Sequence, residues 1–242
     1  EDTLLAACIP SRGHMTLADG NRDNHGPGSN ILRDLMARSE SIFQNHPVNI
    51  ARRARGDIPA TMIWLFWSSG KIPDMPLFKK VYGIDAALSS GVDILRGLAN
   101  MMGMKILNIP GVTDGLDNNY AAQATGALEA LKKHGLVVIH VEAPDEAGHA
   151  GSVEDKIEAI ERIDEEIVSQ LRSWNRDALR VLVLPDHSTP ISIQTHVAEP
   201  VPFMLWGPGF TANGARRFTE AEANSTGILI NDGYNIINKL IH

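Results

Sequence analysis

Residues 137–149 read Val137-Val138-Ile139-His140-Val141-Glu142-Ala143-Pro144-Asp145-Glu146-Ala147-Gly148-His149, and residues 181–190 read Val181-Leu182-Val183-Leu184-Pro185-Asp186-His187-Ser188-Thr189-Pro190, with Thr195-His196 close behind. Each stretch opens on a short run of Val, Ile and Leu, the pattern of a strand buried on both faces of a parallel sheet. Proline cannot donate to a ladder, so it closes each strand just before the acidic and imidazole groups. Open α/β sheets bind ligands beyond the carboxyl ends of their strands, which predicts both clusters on one rim of one mostly parallel sheet. There Asp145, His149, Asp186, His187 and His196 would pool carboxylate oxygens and imidazole nitrogens, a donor set suited to Zn or Mn. Calcium is disfavoured, because it prefers an all-oxygen shell.

Working outward, an alternation of helix and strand surrounds these motifs. The spacing predicts helices over residues 30–44, 92–102, 121–133 and 227–240, and strands over 61–67, 105–109, 136–141, 180–184 and 201–206. The most regular helical pattern is Val153, Ile157, Ile160, Ile163, Ile167 and Leu171, apolar at every third or fourth position,. Ser152, with Asp155 three residues on, has the form of a cap at its start. Residues 1–29 show little periodicity and many turn formers, and read as mostly loop. Strands alternating with helices imply an α/β fold, a mostly parallel sheet flanked by helices. The expected division is an N-terminal loop and helix over residues 1–58 and a metal-binding α/β core over 59–242.

Composition narrows the function classes. The 242 residues are 43% hydrophobic and 21% charged, enough for a full core with an appendage. A net charge of −7 argues against binding a phosphate backbone, so no nucleic-acid partner is expected. No apolar run approaches the roughly 18 residues of a membrane span, and no membrane partner is expected. Cys8 is the single cysteine; this excludes an internal disulfide and fits a reducing, cytoplasmic setting. The residues leave the oligomeric state open.

Several residues have both a functional and an ordinary reading. Asp145 and His149, four apart, can converge if their segment turns once, and Asp186-His187 can reach different points around one site. His196 can close that site from the following loop. His140 falls within the strand and reads as a packed, hydrogen-bonded structural histidine. Glu142 is either an acceptor that orients an imidazole or a plain strand-end carboxylate. Arg52, Arg53 and Arg55 could hold a phosphate or carboxylate bidentately as substrate-binding residues, or form a solvated helix end. Asp114, Asp117 and Asn119 read as turn and helix-capping residues. Cys8 reads as inert, and His14, His25, His46, His134 and His242 show no ligand spacing.

Taken together, the motif from His140 to His149, the segment Pro185 to Pro190 and Thr195-His196 resemble the archaeal-type cofactor-independent phosphoglycerate mutases, a family of the alkaline phosphatase superfamily. Further matches are His46-Pro47-Val48-Asn49, Ile63-Trp64-Leu65, Ile109-Pro110-Gly111-Val112-Thr113 and Val201-Pro202-Phe203. The resemblance runs from about Ile31 to the C-terminus. It implies an alkaline-phosphatase-like sheet and two divalent metal ions, Mn or Zn, with no bisphosphoglycerate cofactor. By its pattern Asp145, His149 and His196 would hold one ion, and Asp186 with His187 the other.

The reaction so implied interconverts 3-phosphoglycerate and 2-phosphoglycerate through a phosphoserine. In the family the nucleophilic serine and a further metal-binding Asp lie on an N-terminal segment that precedes everything matched here, so the expected fold lacks that segment. Residues 1–58 would then be the tail of the family's inserted domain. Gly28-Ser29-Asn30 has a superficially similar Gly-Ser context, but Ser29 leads directly into the helix before His46, and no nucleophile is assigned. The same metal ligands would also serve a phosphatase or another phosphotransferase acting on a small phosphorylated substrate, such as a homoserine kinase-like enzyme. An inactive fragment is the third reading.

Overall fold

The computed structural model describes residues 3–10, 28–69, 74–174 and 179–242. It divides into two compact units, Glu1–Asp74 and Met75–His242.

The first unit pairs β1 (Thr3–Pro10) antiparallel with β2 (Ala60–Ser69) and adds helices α1 (Ser29–Gln44) and α2 (Pro47–Ala54). Residues 3–10, expected as loop, are therefore strand. Their apolar run has no period of its own, and the pairing with β2 supplies the backbone partners,. Residues 11–27, with His14 and His25, lie outside the described residues. The strand expected at residues 61–67 lies in this first unit. Two buried polar side chains fasten helix to strand. The Ser39 hydroxyl accepts from Ile63 N at 3.0 Å. The Asn49 amide donates to Phe43 O and Ala60 O and accepts from Ala60 N. His46 caps α2 by accepting from Val48 N,.

The second unit is α/β. After α3 (Phe78–Tyr82), β3 (Ala86–Ser89) forms the centre of a parallel sheet between β4 (Lys105–Ile106) and β5 (Leu136–Ile139). Helices α4 (Asp93–Met101) and α5 (Tyr120–Leu131) supply the crossovers. All four residues of β3 are buried. Gln123, fully buried on α5, ties helix to sheet: its amide donates to His140 O at 2.9 Å, and its carbonyl accepts from Asn118. Asn119 caps α5 by accepting from Ala122 N, as its turn-and-cap reading anticipates.

Beyond β5 come α6 (Ala143–Ala150) and a long helix made of α7 (Val153–Arg162), a π-helical turn (Ile163–Val168) and α8 (Ser169–Ser173). Ser152 caps α7 through Asp155 N, as expected. The apolar stripe of this helix is split. Ile163, Ile167 and Leu171 pack with Tyr120, Ala124, Ala143 and Ala159 in the core, whereas Val153, Ile157 and Ile160 are exposed. The helix packs on α5 mainly through the π-helical turn and α8.

Last come β6 (Val181–Val183), β7 (Met204–Trp206), α9 (Glu220–Ser225), a 3₁₀ turn (Gly233–Asn235) and α10 (Ile236–Ile241). The final helix is shorter than expected, because residues 227–232 are not helical. The two motif strands do not share a sheet: among the described residues β6 pairs antiparallel with β7, while β5 pairs with β3. The apolar runs fix each strand but carry no information about its neighbour, so the single-sheet expectation fails at pairing. No helix of the described residues is long and apolar enough to cross a membrane.

Candidate metal centre

The chain leaves β5 at Ile139 and starts α6 at Ala143, with Pro144 in the first turn, where a missing N–H costs nothing,. On α6, Asp145 and His149 stand one turn apart on the same face. Gly151 ends the helix in the left-handed conformation, at φ 73°,. The second cluster follows β6, and a bridge between Ser188 and Val197 closes the loop that bears Thr189 and His196.

The two clusters meet at Asp145, whose side chain is 17% exposed. His149 Nε2 lies 3.2 Å from Asp145 Oδ2, and His196 Nε2 lies 3.4 Å from Asp145 Oδ1. The two imidazole Nε2 atoms are 3.0 Å apart. A tetrahedral ion with bonds of about 2.0–2.1 Å has ligand edges of about 3.3 Å. Each separation is close to such an edge, although the two imidazoles face different oxygens of the carboxylate, and the donor set fits a borderline divalent ion.

His187 adds a second group. Its Nδ1 is 3.9 Å from Asp145 Oδ1, and its Nε2 is 3.5 Å from Asp186 Oδ2. Its ring lies on that of His196, centroids 3.8 Å apart. One donor atom each from Asp145, His187 and His196 lies within 4.8 Å of the others. Asp186 is the open member, with its side chain 74% exposed. All five ligand candidates thus fall in one neighbourhood, although their strands lie in separate sheets.

Beneath them, His140 hydrogen-bonds the buried Ser90 hydroxyl through Nδ1 at 3.0 Å and faces Glu142 through Nε2 at 3.2 Å. Burial holds the His140 pKa below the usual imidazole value,. Burial, reinforced by Asp145, Asp186 and Glu146, pushes Glu142 up. Both shifts favour the neutral form of the group. Glu142 thus meets an imidazole that is not among the ligand candidates.

Arg52, Arg53 and Arg55 end α2 in the other unit, each with a local partner. Arg52 donates to Ile58 O, Arg53 to Gln44 O, and Arg55 pairs with Asp57 at 2.9 Å. Ser29 opens α1, is buried, and accepts from Arg33 at 2.7 Å. Two further contributors carry no ligand signature in the sequence. The Thr189 hydroxyl donates to Asp145 Oδ1, and Gln194 O faces His149 Nδ1 at 2.9 Å.

A family model described as a metalloenzyme superfamily matches residues 10–241. The chain belongs to that metalloenzyme superfamily. It is 41% identical over 239 residues to a 2,3-bisphosphoglycerate-independent phosphoglycerate mutase of Methanothrix thermoacetophila, covering 98% of this chain and 61% of the relative. An enzyme of the same name, numbered 2, from Methanothermobacter thermautotrophicus is 44% identical over 190 residues, covering 78% of this chain and 47% of the relative. A solved protein of Pyrococcus horikoshii superposes with a TM-score of 0.69 at 28% identity, covering 81% of this chain and 52% of that one. These metalloenzyme relatives bear out the resemblance carried by the two motifs, and the α/β fold with it. The chain spans about half to three fifths of the length of the relatives it matches.

Proposed function

We propose that this chain carries the metal-binding core of an enzyme that interconverts 3-phosphoglycerate and 2-phosphoglycerate without a bisphosphoglycerate cofactor. The supporting observation is the convergence of Asp145, His149, Asp186, His187 and His196 around one carboxylate. Asp145, His149 and His196 would hold one divalent ion and Asp186 with His187 a second, Mn or Zn in each case. When bound, a pair of such ions polarises a phosphoryl group and neutralises the charge that builds on its oxygens. The protein's share is positional: α6 fixes a carboxylate and an imidazole on one face, and the 186–196 segment brings the remaining donors against them. Arg52, Arg53 and Arg55 are the proposed contacts to the carboxylate or phosphate of the substrate, because guanidinium groups match both in geometry. The single cysteine accords with a cytoplasmic enzyme,.

The test combines metal analysis with product analysis on the intact natural protein. His149→Ala and His196→Ala are each expected to lower bound Mn or Zn, and 3-phosphoglycerate is expected to yield 2-phosphoglycerate. Release of free phosphate instead would replace the mutase reading with a phosphatase. Unchanged metal content in both variants would remove these histidines from the ligand set.

A further inference from the structure

The loop closed by the Ser188–Val197 bridge carries more than His196. Thr189 is 4% exposed, and its hydroxyl sits between two ligand candidates. It donates to Asp145 Oδ1, and it lies 3.3 Å from His187 Nδ1. A carboxylate can only accept, so the hydroxyl proton points to Asp145 and a lone pair remains for His187. That lone pair suits a proton on Nδ1 once an ion occupies Nε2, which otherwise faces the Asp186 carboxylate at 3.5 Å.

At the far end of the loop the same logic acts on His149. Gln194 O is 2.9 Å from His149 Nδ1. A carbonyl is an acceptor, and so is the Asp145 carboxylate that faces Nε2 at 3.2 Å; with an ion bound at Nε2, the one proton of the neutral ring belongs on Nδ1,.

Two observations show that this arrangement is built. Gln194 has φ 57°, the one non-glycine residue with positive φ among the described residues. That conformation is costly for a residue with a side chain, and such strain gathers at functional sites. Thr189 is held from below: Lys156 Nζ donates to its carbonyl at 2.7 Å. A Cβ at Gly148 would stand 2.6 Å from the same oxygen, so only glycine lets α6 approach this closely,.

We propose that Thr189 and Gln194 are positioning residues of the metal centre: a hydroxyl and a strained backbone carbonyl hold His187 and His149 in the Nδ1–H tautomer, presenting Nε2 of each to metal. This statement rests on the metal-binding reading above. Partners of this kind typically govern metal affinity by about 10–100-fold.

The test uses the 242-residue chain in two measurements. Long-range proton–nitrogen NMR of the imidazoles in the zinc-loaded chain is expected to show Nδ1–H for both His149 and His187. Titration with Mn or Zn is expected to show Thr189→Val weakened by about 10–100-fold, with Thr189→Ser within about threefold of the parent. Gln194→Gly keeps the carbonyl and relieves the strain, so its affinity should be retained. Gln194→Val resists positive φ and should lose about tenfold or more, with His149 no longer held as Nδ1–H. An Nε2–H tautomer at either histidine in the parent overturns the proposal. So does parental affinity in both Thr189→Val and Gln194→Val. If Thr189→Val fails to fold, the parent tautomers and the Gln194 pair still decide. A parent chain that binds neither ion would sink the metal-binding reading itself, whereas metal binding with parental affinity in both Thr189→Val and Gln194→Val would sink only the positioning.

Discussion

His140 is the residue whose environment has the plainest consequence in solution. Burial favours its neutral form against the pull of Asp186 and Asp145, while His187 pushes the same way as burial. Its pKa in the folded chain therefore lies below the value near 6.5 of an exposed imidazole,. As pH falls below that value, the unfolded chain takes up a proton that the folded chain refuses, so stability is lost until the folded pKa is also passed. Glu142 works in the opposite sense, because its folded pKa is raised: its contribution is lost as pH rises through that value,. Comparing His140→Gln with the parent isolates the first effect. The variant is expected to lose less stability between about pH 6.5 and pH 5 in urea unfolding. Equal losses would show that His140 titrates normally. At this scale the residues that converge around Asp145 were legible as ligand candidates in the sequence, since Asp and His at strand ends are unusual enough to be noticed. Thr189 and Gln194 were not. A threonine hydroxyl has many ordinary uses, and a carbonyl aimed by positive φ leaves no mark in residue type.

Among the elements, α5 shows why sequence pattern and packing part company. Its first residue, Tyr120, is fully buried among Ala124, Ala143, Ala159 and Ile167. The Arg162 guanidinium lies 4.3 Å from its ring centroid, held there by Glu166 and by Leu116 O. Among the described residues the Tyr120 hydroxyl meets no hydrogen-bond partner. The ring therefore carries the stabilisation and the hydroxyl subtracts from it. Tyr120→Phe is expected to be neutral or stabilising, within about 1 kcal/mol, whereas Tyr120→Ala should cost about 3–5 kcal/mol by leaving a cavity. Thermal or urea unfolding of the two variants checks this; a large loss in Tyr120→Phe would reveal a partner for the hydroxyl. The motif strands β5 and β6 were readable from their Val, Ile and Leu content. Central strand β3, Ala86-Ala87-Leu88-Ser89, was not: it lacks β-branched residues, and burial between two neighbours, not propensity, makes it a strand,. Pairing was the other blind point, since nothing in β6 itself tells that it joins β7 rather than the parallel sheet.

For the molecule as a whole, that separation of sheets would give the proposed metal centre a structural role. Asp145 and His149 hang from the parallel sheet through β5 and α6, while Asp186, His187 and His196 belong to the segment after β6. No ladder joins β5 to β6 among the described residues, so an ion at Asp145 would link the two sheets directly. An ion that binds only the folded chain stabilises it by mass action, about 2.7 kcal/mol at a concentration one hundred times Kd. For a domain of this size that corresponds to a rise of roughly 5–10 °C in Tm. Adding Mn or Zn to the metal-stripped chain is therefore expected to raise Tm by that order, and calcium to have little effect. The Val197 amide, bonded to Ser188 O at 3.1 Å, should exchange with solvent more slowly once metal is bound, because the loop can then open only by releasing His196. Asp145→Asn removes the carboxylate that faces His149, His187 and His196 and should abolish both effects together. A Tm rise that survives in Asp145→Asn would mean that the ion binds elsewhere. A rise without slower exchange at Val197 would mean that the loop does not take part in holding it.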